Sequence, residues 1–122
     1  EHEDLGAFSE DPSDYPDIAY KLAKKVAETG SKGILMCGTG IGECIVANKV
    51  KGIRAANCFN EYAAQKSREH NDSNILCLGA SVLNEDDAKK IIKTWLETDF
   101  SNEVRHKRRL GKIAEIESRI FK

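Results

Sequence analysis

The chain has 122 residues, which is enough for one domain with its own hydrophobic core. Apolar residues make up 40%, charged residues 32%, and the net charge is −1, so no overall field favours nucleic acid or a membrane surface. No apolar run approaches the ~20 residues of a transmembrane helix. We therefore expect a globular protein with neither nucleic acid nor a membrane as a partner.

The chain alternates between helical and strand-like segments. A first helix is predicted over residues 17–29, where apolar residues recur at spacing four and Gly30 ends the pattern. Three short apolar runs predict buried strands, at residues 33–37, 53–58 and 75–78. Further helices are predicted over residues 43–50, 60–69, from a cap at Asn84 through Leu96, and about 104–120. This alternation predicts an α/β fold, with a parallel sheet and helices on both of its faces.

The segment from Gly33 to Lys49 joins a strand, a glycine loop and a helix. The strand ends in Cys37, and Gly38-Thr39-Gly40-Ile41-Gly42 follows at once. Glycines let backbone N–H groups approach a ligand closely, and a helix N-terminus adds partial positive charge. The spacing fits neither a dinucleotide fingerprint nor a P-loop. The segment predicts an anion cradle beside a reactive thiol, and the alternative is a structural turn with an inert, buried cysteine.

The four cysteines do not form a disulfide or zinc pattern. None forms a CxxC pair, and three lie in or at the end of apolar runs; they are Cys37, Cys44, Cys58 and Cys77. This distribution favours reduced thiols in a cytoplasmic protein.

A polar turn at His70-Asn71-Asp72 precedes the third predicted strand. It should therefore lie at the amino ends of the strands, whereas Cys37 lies at the carboxyl ends. If Cys37 and His70 serve one site, that site must be shared between two subunits. The alternative is that His70 is an ordinary surface residue.

A basic cluster opens the last predicted helix, at residues 105–109. Arg105, Arg109 and Lys112 fall on one helical face, which suits a phosphate held by arginine. The alternative is a solvated charged surface. Nucleic acid is disfavoured because no aromatic residues interleave with the basic ones.

Taken together, these segments resemble ribose-5-phosphate isomerase of the type B family, which also includes galactose-6-phosphate isomerase subunits. The resemblance extends from about Asp14 to Glu117. The motifs that carry it are Asp14-Tyr15-Pro16-Asp17, the stretch from Gly33 to Gly42, Ala47-Asn48-Lys49-Val50, Gly52-Ile53-Arg54-Ala55-Ala56, Arg68 to Asn74, Thr94-Trp95-Leu96 and Arg105-His106.

The resemblance implies a three-layer Rossmann-like fold and an aldose–ketose isomerase that acts on a sugar phosphate without metal or cofactor. It implies a homodimer, or a dimer of dimers, with active sites at the interface and the C-terminal helix packed on the partner subunit. Cys37 would be the base that moves a proton between C1 and C2 through an enediolate. The loop formed by Gly38, Gly40, Ile41 and Gly42 would stabilise that anion.

The remaining roles also follow from the resemblance. The partner's His70, together with Thr39, would open the furanose ring, and Asn71 would contact the sugar. The phosphate would be held by Arg105, His106 and Arg109.

Three departures from the family pattern stand out. The opening strand with a GSDHAG-like motif is absent, so residues 1–122 are expected to be one domain that is N-terminally incomplete by about one βα unit, with residues 5–8 as the end of a strand. Ser81 stands where the family often has an arginine. Glu43 occupies a position where members lacking the cysteine place a catalytic glutamate, and we favour Cys37 over Glu43 as the base.

The expected substrate pair is ribose 5-phosphate and ribulose 5-phosphate. A six-carbon sugar phosphate, such as galactose or allose 6-phosphate, is the alternative within the family. A non-catalytic sugar-phosphate-binding subunit is the alternative from another class. A nucleotide-binding flavodoxin-like module is disfavoured, because the basic cluster lies far from the glycine loop in the sequence.

Overall fold

A computed structural model describes residues 14–121 and shows a three-stranded parallel sheet with five helices in that part of the chain. The strands are β1 (Gly33–Cys37), β2 (Ala55–Asn57) and β3 (Ile75–Gly79). The helices are α1 (Tyr15–Thr29), α2 (Ile41–Ala47), α3 (Glu61–Asn71), α4 (Glu85–Glu97) and α5 (Val104–Ile120). The strand fragment predicted at residues 5–8 lies outside the described residues.

The sheet has the order β1-β3-β2, and both pairings are parallel, as the alternation of elements predicted. Cys37 pairs with Gly79 at one edge of the sheet, and Gly33 pairs with Ile75 at the other. All five residues of the central strand β3 are buried. The carboxyl ends of the strands therefore meet at one edge, which contains Cys37.

Helices cover both faces of the sheet, which confirms the three-layer arrangement. On one face, α1 and α2 pack against Leu35, Ile75 and Cys77. On the other face, α3 and α4 enclose Leu76 and Leu78, together with residues that include the fully buried Trp95. Burial of each large apolar side chain contributes about 1.5–3 kcal/mol, so these two clusters hold the helices in place.

Local sequence explains most helix ends. Gly30 adopts a left-handed conformation (φ 72°), and its N–H donates to Val26 O (2.9 Å), which ends α1. Asn60 and Asn84 cap α3 and α4, each accepting a hydrogen bond from the third residue that follows (2.8 Å).

Helix α2 begins earlier and ends earlier than the prediction of residues 43–50. Gly40 has φ 82°, which reverses the chain immediately after β1 and lets the helix begin at Ile41. The helix ends at Ala47 because the Asn48 side chain leaves it to pair with β2. Its Nδ2 donates to Ala55 O (3.0 Å), and its Oδ1 accepts from Ala55 N (2.8 Å).

Helix α5 has the predicted bounds but buries little of its surface. His106 is its one buried residue. Its apolar residues Ile113, Ile116 and Ile120 are 43%, 50% and 65% exposed. Of the helices within residues 14–121, none is long and apolar enough to cross a membrane.

Candidate active site

The turn after β1 is fixed by hydrogen bonds from the segment that follows β3. The N–H of Ala80 donates to Cys37 O (2.7 Å). Ser81 donates twice to Gly38 O, from its N–H (3.0 Å) and from its Oγ (2.5 Å). Ser81 stands where an arginine was expected, and its hydroxyl is used to hold the glycine loop.

Asn57, at the carboxyl end of β2, holds the same loop from the other side. Its Nδ2 donates to Cys77 O (3.0 Å) and approaches Thr39 O at 3.4 Å. Thr39 Oγ1 in turn accepts from Ile41 N (3.2 Å). Sequence reasoning missed Asn57, although a polar residue directly at the carboxyl end of a parallel strand is a usual position for a site residue.

Two glycines permit the close approach of this loop to β3. A Cβ on Gly40 would lie 2.5 Å from Asn57 Nδ2, and a Cβ on Gly79 would lie 2.5 Å from Thr39 O. Both distances are far below van der Waals contact, so larger residues at either position would displace the loop. The glycine loop is therefore shaped by the end of the sheet.

Cys37 is half-buried at the tip of β1, and its thiol interacts electrostatically with the carboxyl group of Glu43. Burial raises the pKa of the Cys37 thiol, and the neighbouring carboxyl group of Glu43 raises it further. The thiol is therefore protonated in the resting protein. Glu43 itself is only 5% exposed.

The second group of predicted site residues is gathered where α3 meets the start of α5. The N–H of Ser101 donates to Glu69 O (3.1 Å), which ties the two helices together. His106 stacks on His70, with ring centroids 4.3 Å apart, and its Nδ1 lies 2.6 Å from Ser101 Oγ. Its Nε2 is buried without a hydrogen bond. The structure thus brings His70 and His106 together, and Ser101 is a contact that the sequence did not reveal.

The ionisation of His106 is disfavoured in this position. Burial lowers its pKa first, and the neighbouring His70, Arg105 and Arg109 lower it further against the opposing effect of Glu103. His106 is therefore neutral at pH 7.

A buried polar network supports the turn that carries His70. Arg68 donates to Ser73 O (2.6 Å), Asp72 Oδ1 (2.8 Å) and Thr98 O (3.0 Å). Trp95 Nε1 donates to Ser73 Oγ (2.8 Å). Asp72 itself takes a left-handed conformation (φ 46°) that reverses the chain into β3. The turn is consequently held in one conformation, with Asn71 exposed at its outer side.

The basic residues of α5 are presented to solvent on the same edge. Arg105 and Arg109 are exposed, and Arg105 Nε lies 3.5 Å from Glu103 Oε1 in a surface ion pair. Such exposed pairs contribute little to stability, so these guanidinium groups remain available to an anion.

Cys37 and His70 do not meet within one chain. They lie at opposite ends of the strands, and five residues at ~3.3 Å each separate those ends by about 13 Å. Two clefts, of about 300 and 390 Å³, lie beside α4, and neither is lined by Cys37 or His70. The predicted site residues of one chain thus form two groups, on opposite edges of its sheet.

A sequence-family model described as Ribose/Galactose Isomerase matches residues 1–113. The chain is 44% identical over 119 residues to ribose-5-phosphate isomerase B of Escherichia coli, an alignment that covers 95% of this chain and 78% of the relative. It is also 49% identical over 98 residues to D-erythrulose-4-phosphate isomerase of Pectobacterium atrosepticum, covering 76% of this chain and 64% of that protein.

Solved structures show the same fold. Ribose-5-phosphate isomerase B of Clostridium thermocellum superimposes with a TM-score of 0.93 at 49% identity, over 97% of this chain and 80% of that one. The Mycoplasma genitalium structure with bound ribulose-5-phosphate gives a TM-score of 0.89 at 39% identity, over 93% and 76% of the two chains.

Proposed function

The chain belongs to the ribose/galactose isomerase family, and we propose that it interconverts ribose 5-phosphate and ribulose 5-phosphate. The observation that carries the proposal is the half-buried Cys37 thiol at the carboxyl edge of the sheet, beside a glycine loop that Ser81 and Asn57 hold in place. Ligands of open α/β sheets bind at this edge. Similarity to relatives named ribose-5-phosphate isomerase B supports the choice of substrate.

In the proposed reaction, Cys37 transfers a proton between C1 and C2 of the open-chain sugar. Removing the proton leaves an enediolate, whose negative charge is stabilised by backbone N–H groups of the loop Gly38–Gly42. The loop is rigid before substrate arrives, so little reorganisation is needed in the transition state. We expect the reaction to need no metal ion.

The second half of the proposed site comes from a partner subunit. The partner's His70 opens the furanose ring together with Thr39, and Asn71 contacts the sugar. The phosphate is held on α5. Its proposed ligands are Arg105, His106 and Arg109.

A dimer accounts for the exposed surface of α5. Ile113, Ile116 and Ile120 recur at helical spacing and form an apolar stripe that is at least 43% exposed at each position. Contiguous apolar surface of this kind is typical of subunit contacts. Packing this helix on a partner would also bring the basic cluster of one chain towards the Cys37 edge of the other.

A four-carbon substrate is the second candidate. The chain is 49% identical to a relative named D-erythrulose-4-phosphate isomerase, as high as its identity to the Clostridium thermocellum structure. This alternative joins the six-carbon sugar phosphates that the family resemblance already included. All of these reactions would use the same base and loop, and they differ in the length of the sugar between them and the phosphate.

The test is a direct isomerase assay of the purified protein. Its kcat/KM is measured for ribose 5-phosphate, D-erythrulose 4-phosphate and galactose 6-phosphate, with and without a chelator. We expect the highest value for ribose 5-phosphate and no effect of the chelator. A tenfold preference for either other sugar would replace the proposed substrate, and the absence of turnover with all three would overturn the proposed activity.

A further inference from the structure

Glu43 is the one buried carboxylate among residues 14–121. It lies in the first turn of α2, and its Oε2 makes no hydrogen bond. Burying a carboxylate oxygen without a partner is unfavourable, and so each such group in a folded protein requires an explanation. The packing of α2 against the sheet gives no reason for an acid at this position, because its neighbours on that face are apolar or thiol side chains.

The solvent-accessible thiol next to Glu43 is that of Cys37, with which the carboxyl group interacts electrostatically. The interaction spans the glycine loop, which turns the chain back so that the end of β1 faces the first turn of α2. Because Ser81 and Asn57 hold that loop, the thiol and the carboxyl group are kept together by the fold.

The other groups around this pair are two thiols and an aromatic ring. On α2 itself lies Cys44, and β3 contributes Cys77; both interact electrostatically with Glu43. From α1, the ring of Tyr15 packs against Gly42. None of these neighbours is a basic side chain, so none of them forms an ion pair with the carboxylate.

Exposure separates the roles of the two side chains. Cys37 is half-buried and can touch a ligand at the carboxyl edge of the sheet. Glu43 is only 5% exposed, so its carboxyl group is shielded from a ligand at that edge. It can receive a proton from the thiol but does not itself contact the sugar.

We propose that Glu43 is a proton-holding residue that takes the thiol proton of Cys37. The resulting thiolate is then the base that removes a proton from the sugar. The proposal rests on the proposed isomerase function and assigns Glu43 a positioning role in it. It gives each of the two residues a separate role in the same chain.

The proton transfers balance without any further reactant. The S–H bond of Cys37 breaks as an O–H bond forms on Glu43, and the thiolate then removes the proton from C2. The enediolate carries the negative charge until the same proton is delivered from Cys37 to C1. Glu43 finally returns its proton to sulfur, which restores the starting state.

If Glu43 acted only through its charge, replacing it should speed the reaction, whereas loss of a proton-holding residue should slow it. The carboxyl group of Glu43 raises the pKa of Cys37, so replacing Glu43 by a neutral residue would increase the thiolate fraction. If the thiolate fraction alone limited the reaction, Glu43→Gln would be faster than the parent protein. If Glu43 must hold the proton, Glu43→Gln is slower although its thiol ionises more readily.

The experiment measures both quantities on the same proteins. The kcat for ribose 5-phosphate is compared for the parent, Glu43→Gln, Glu43→Met and the control Glu85→Gln, an exposed first-turn glutamate of α4. We expect about a 10²-fold loss or more in both Glu43 variants and no change in the control. Methionine fills the same buried volume without an amide, so it tests the proposal even where glutamine fails to fold.

The second readout does not depend on turnover. The rate of alkylation of Cys37 by iodoacetamide is followed as a function of pH, with the modified peptide identified by mass spectrometry. We expect the midpoint to move to lower pH in both Glu43 variants and to stay in place in Glu85→Gln. This shift is expected whether or not ribose 5-phosphate is the substrate, so it separates a failure of this proposal from a failure of the proposed function.

Two outcomes overturn the proposal. The first is an unchanged alkylation midpoint in folded Glu43→Gln and Glu43→Met, which would show that the two side chains do not share a proton. The second is a lowered midpoint with kcat equal to or above that of the parent, which would leave Glu43 with an electrostatic effect alone.

Discussion

The imidazole rings of His70 and His106 lie 4.3 Å apart between centroids, with their planes inclined by 34°. Burial lowers the pKa of His106, and the neighbouring His70 lowers it further. His106 is the buried member and is held by Ser101, whereas His70 is more exposed. The ring of His70 therefore packs on a buried imidazole whose protonation is disfavoured.

This relationship predicts a loss of stability in mild acid. The pKa of His106 is lowered in the folded state, so the unfolded chain takes up its proton first as the pH falls through about 6.5. The free energy of unfolding should decrease until the pH passes below the folded-state value. Urea unfolding followed by circular dichroism at pH 7.5 and pH 5.5 measures the loss.

His106→Gln is the matched control for that prediction. It removes the buried titrating group but leaves His70 and every carboxylate unchanged. The loss between pH 7.5 and pH 5.5 should be smaller in the variant than in the parent, and equal losses would show that His106 does not contribute.

Cys37→Ala should remove turnover while leaving substrate binding nearly intact. Loss of a general base typically costs about 10²–10⁴-fold in rate, and the proposed phosphate-binding residues are separate side chains, contributed by α5 of the partner subunit. Steady-state kinetics measures the turnover of ribose 5-phosphate, and calorimetry measures its binding. Cys58→Ala is the control, because this buried thiol packs in the second core cluster, away from the glycine loop. Retained kcat in Cys37→Ala would remove Cys37 from the role of base.

Mixing two inactive variants tests the shared site. A Cys37→Ala chain and a His70→Ala chain each lack one half of every site in their own homodimers. In a mixed dimer, the intact Cys37 of one chain meets the intact His70 of the other, so one of two sites should work. Activity should therefore return after the two variants are unfolded and refolded together. If mixed dimers are demonstrated by mass and remain inactive, the two half-sites do not combine.

Arg68→Ala should destabilise the protein although it lies outside the proposed chemistry. The substitution leaves the carbonyl of Ser73, in the buried part of the turn, without its 2.6 Å hydrogen bond, and each such unpaired group costs about 1–3 kcal/mol. Arg119→Ala is the control, since the ion pair of Arg119 with Glu115 is exposed and should change stability by about 0.5 kcal/mol or less. Equal urea midpoints for the two variants would contradict this prediction.

Local patterns were sufficient to predict much of this fold. The apolar run before Cys37 and the apolar spacing of residues 104–120 predicted β1 and α5 at their observed bounds. The parallel alternation of elements then placed Cys37 and His70 on opposite edges, which follows from chain direction alone. These features depend on near neighbours in the sequence or on topology, and both can be read from one chain.

Contacts between distant segments could not be predicted in the same way. The bonds from Ser81 and Asn57 to the glycine loop, and the stacking of His106 on His70, join residues that are far apart in the chain. The burial of Glu43 depended on where α2 begins, which was predicted two residues too late. Two residues correspond to about 200° of rotation around a helix. The sequence pattern therefore could not predict the direction of the Glu43 carboxyl group.

Trp95 is the only tryptophan of the chain, and it is fully buried with its indole N–H bonded to Ser73. This chain therefore carries a single tryptophan fluorophore, which is bonded to the turn that presents His70. Changes in the emission of Trp95 report on that turn, whereas events confined to Cys37 leave this emission unchanged. The two proposed half-sites can thus be observed separately in an unlabelled protein. The His70 turn is followed by tryptophan fluorescence, and the Cys37 edge is followed by the reactivity of its thiol.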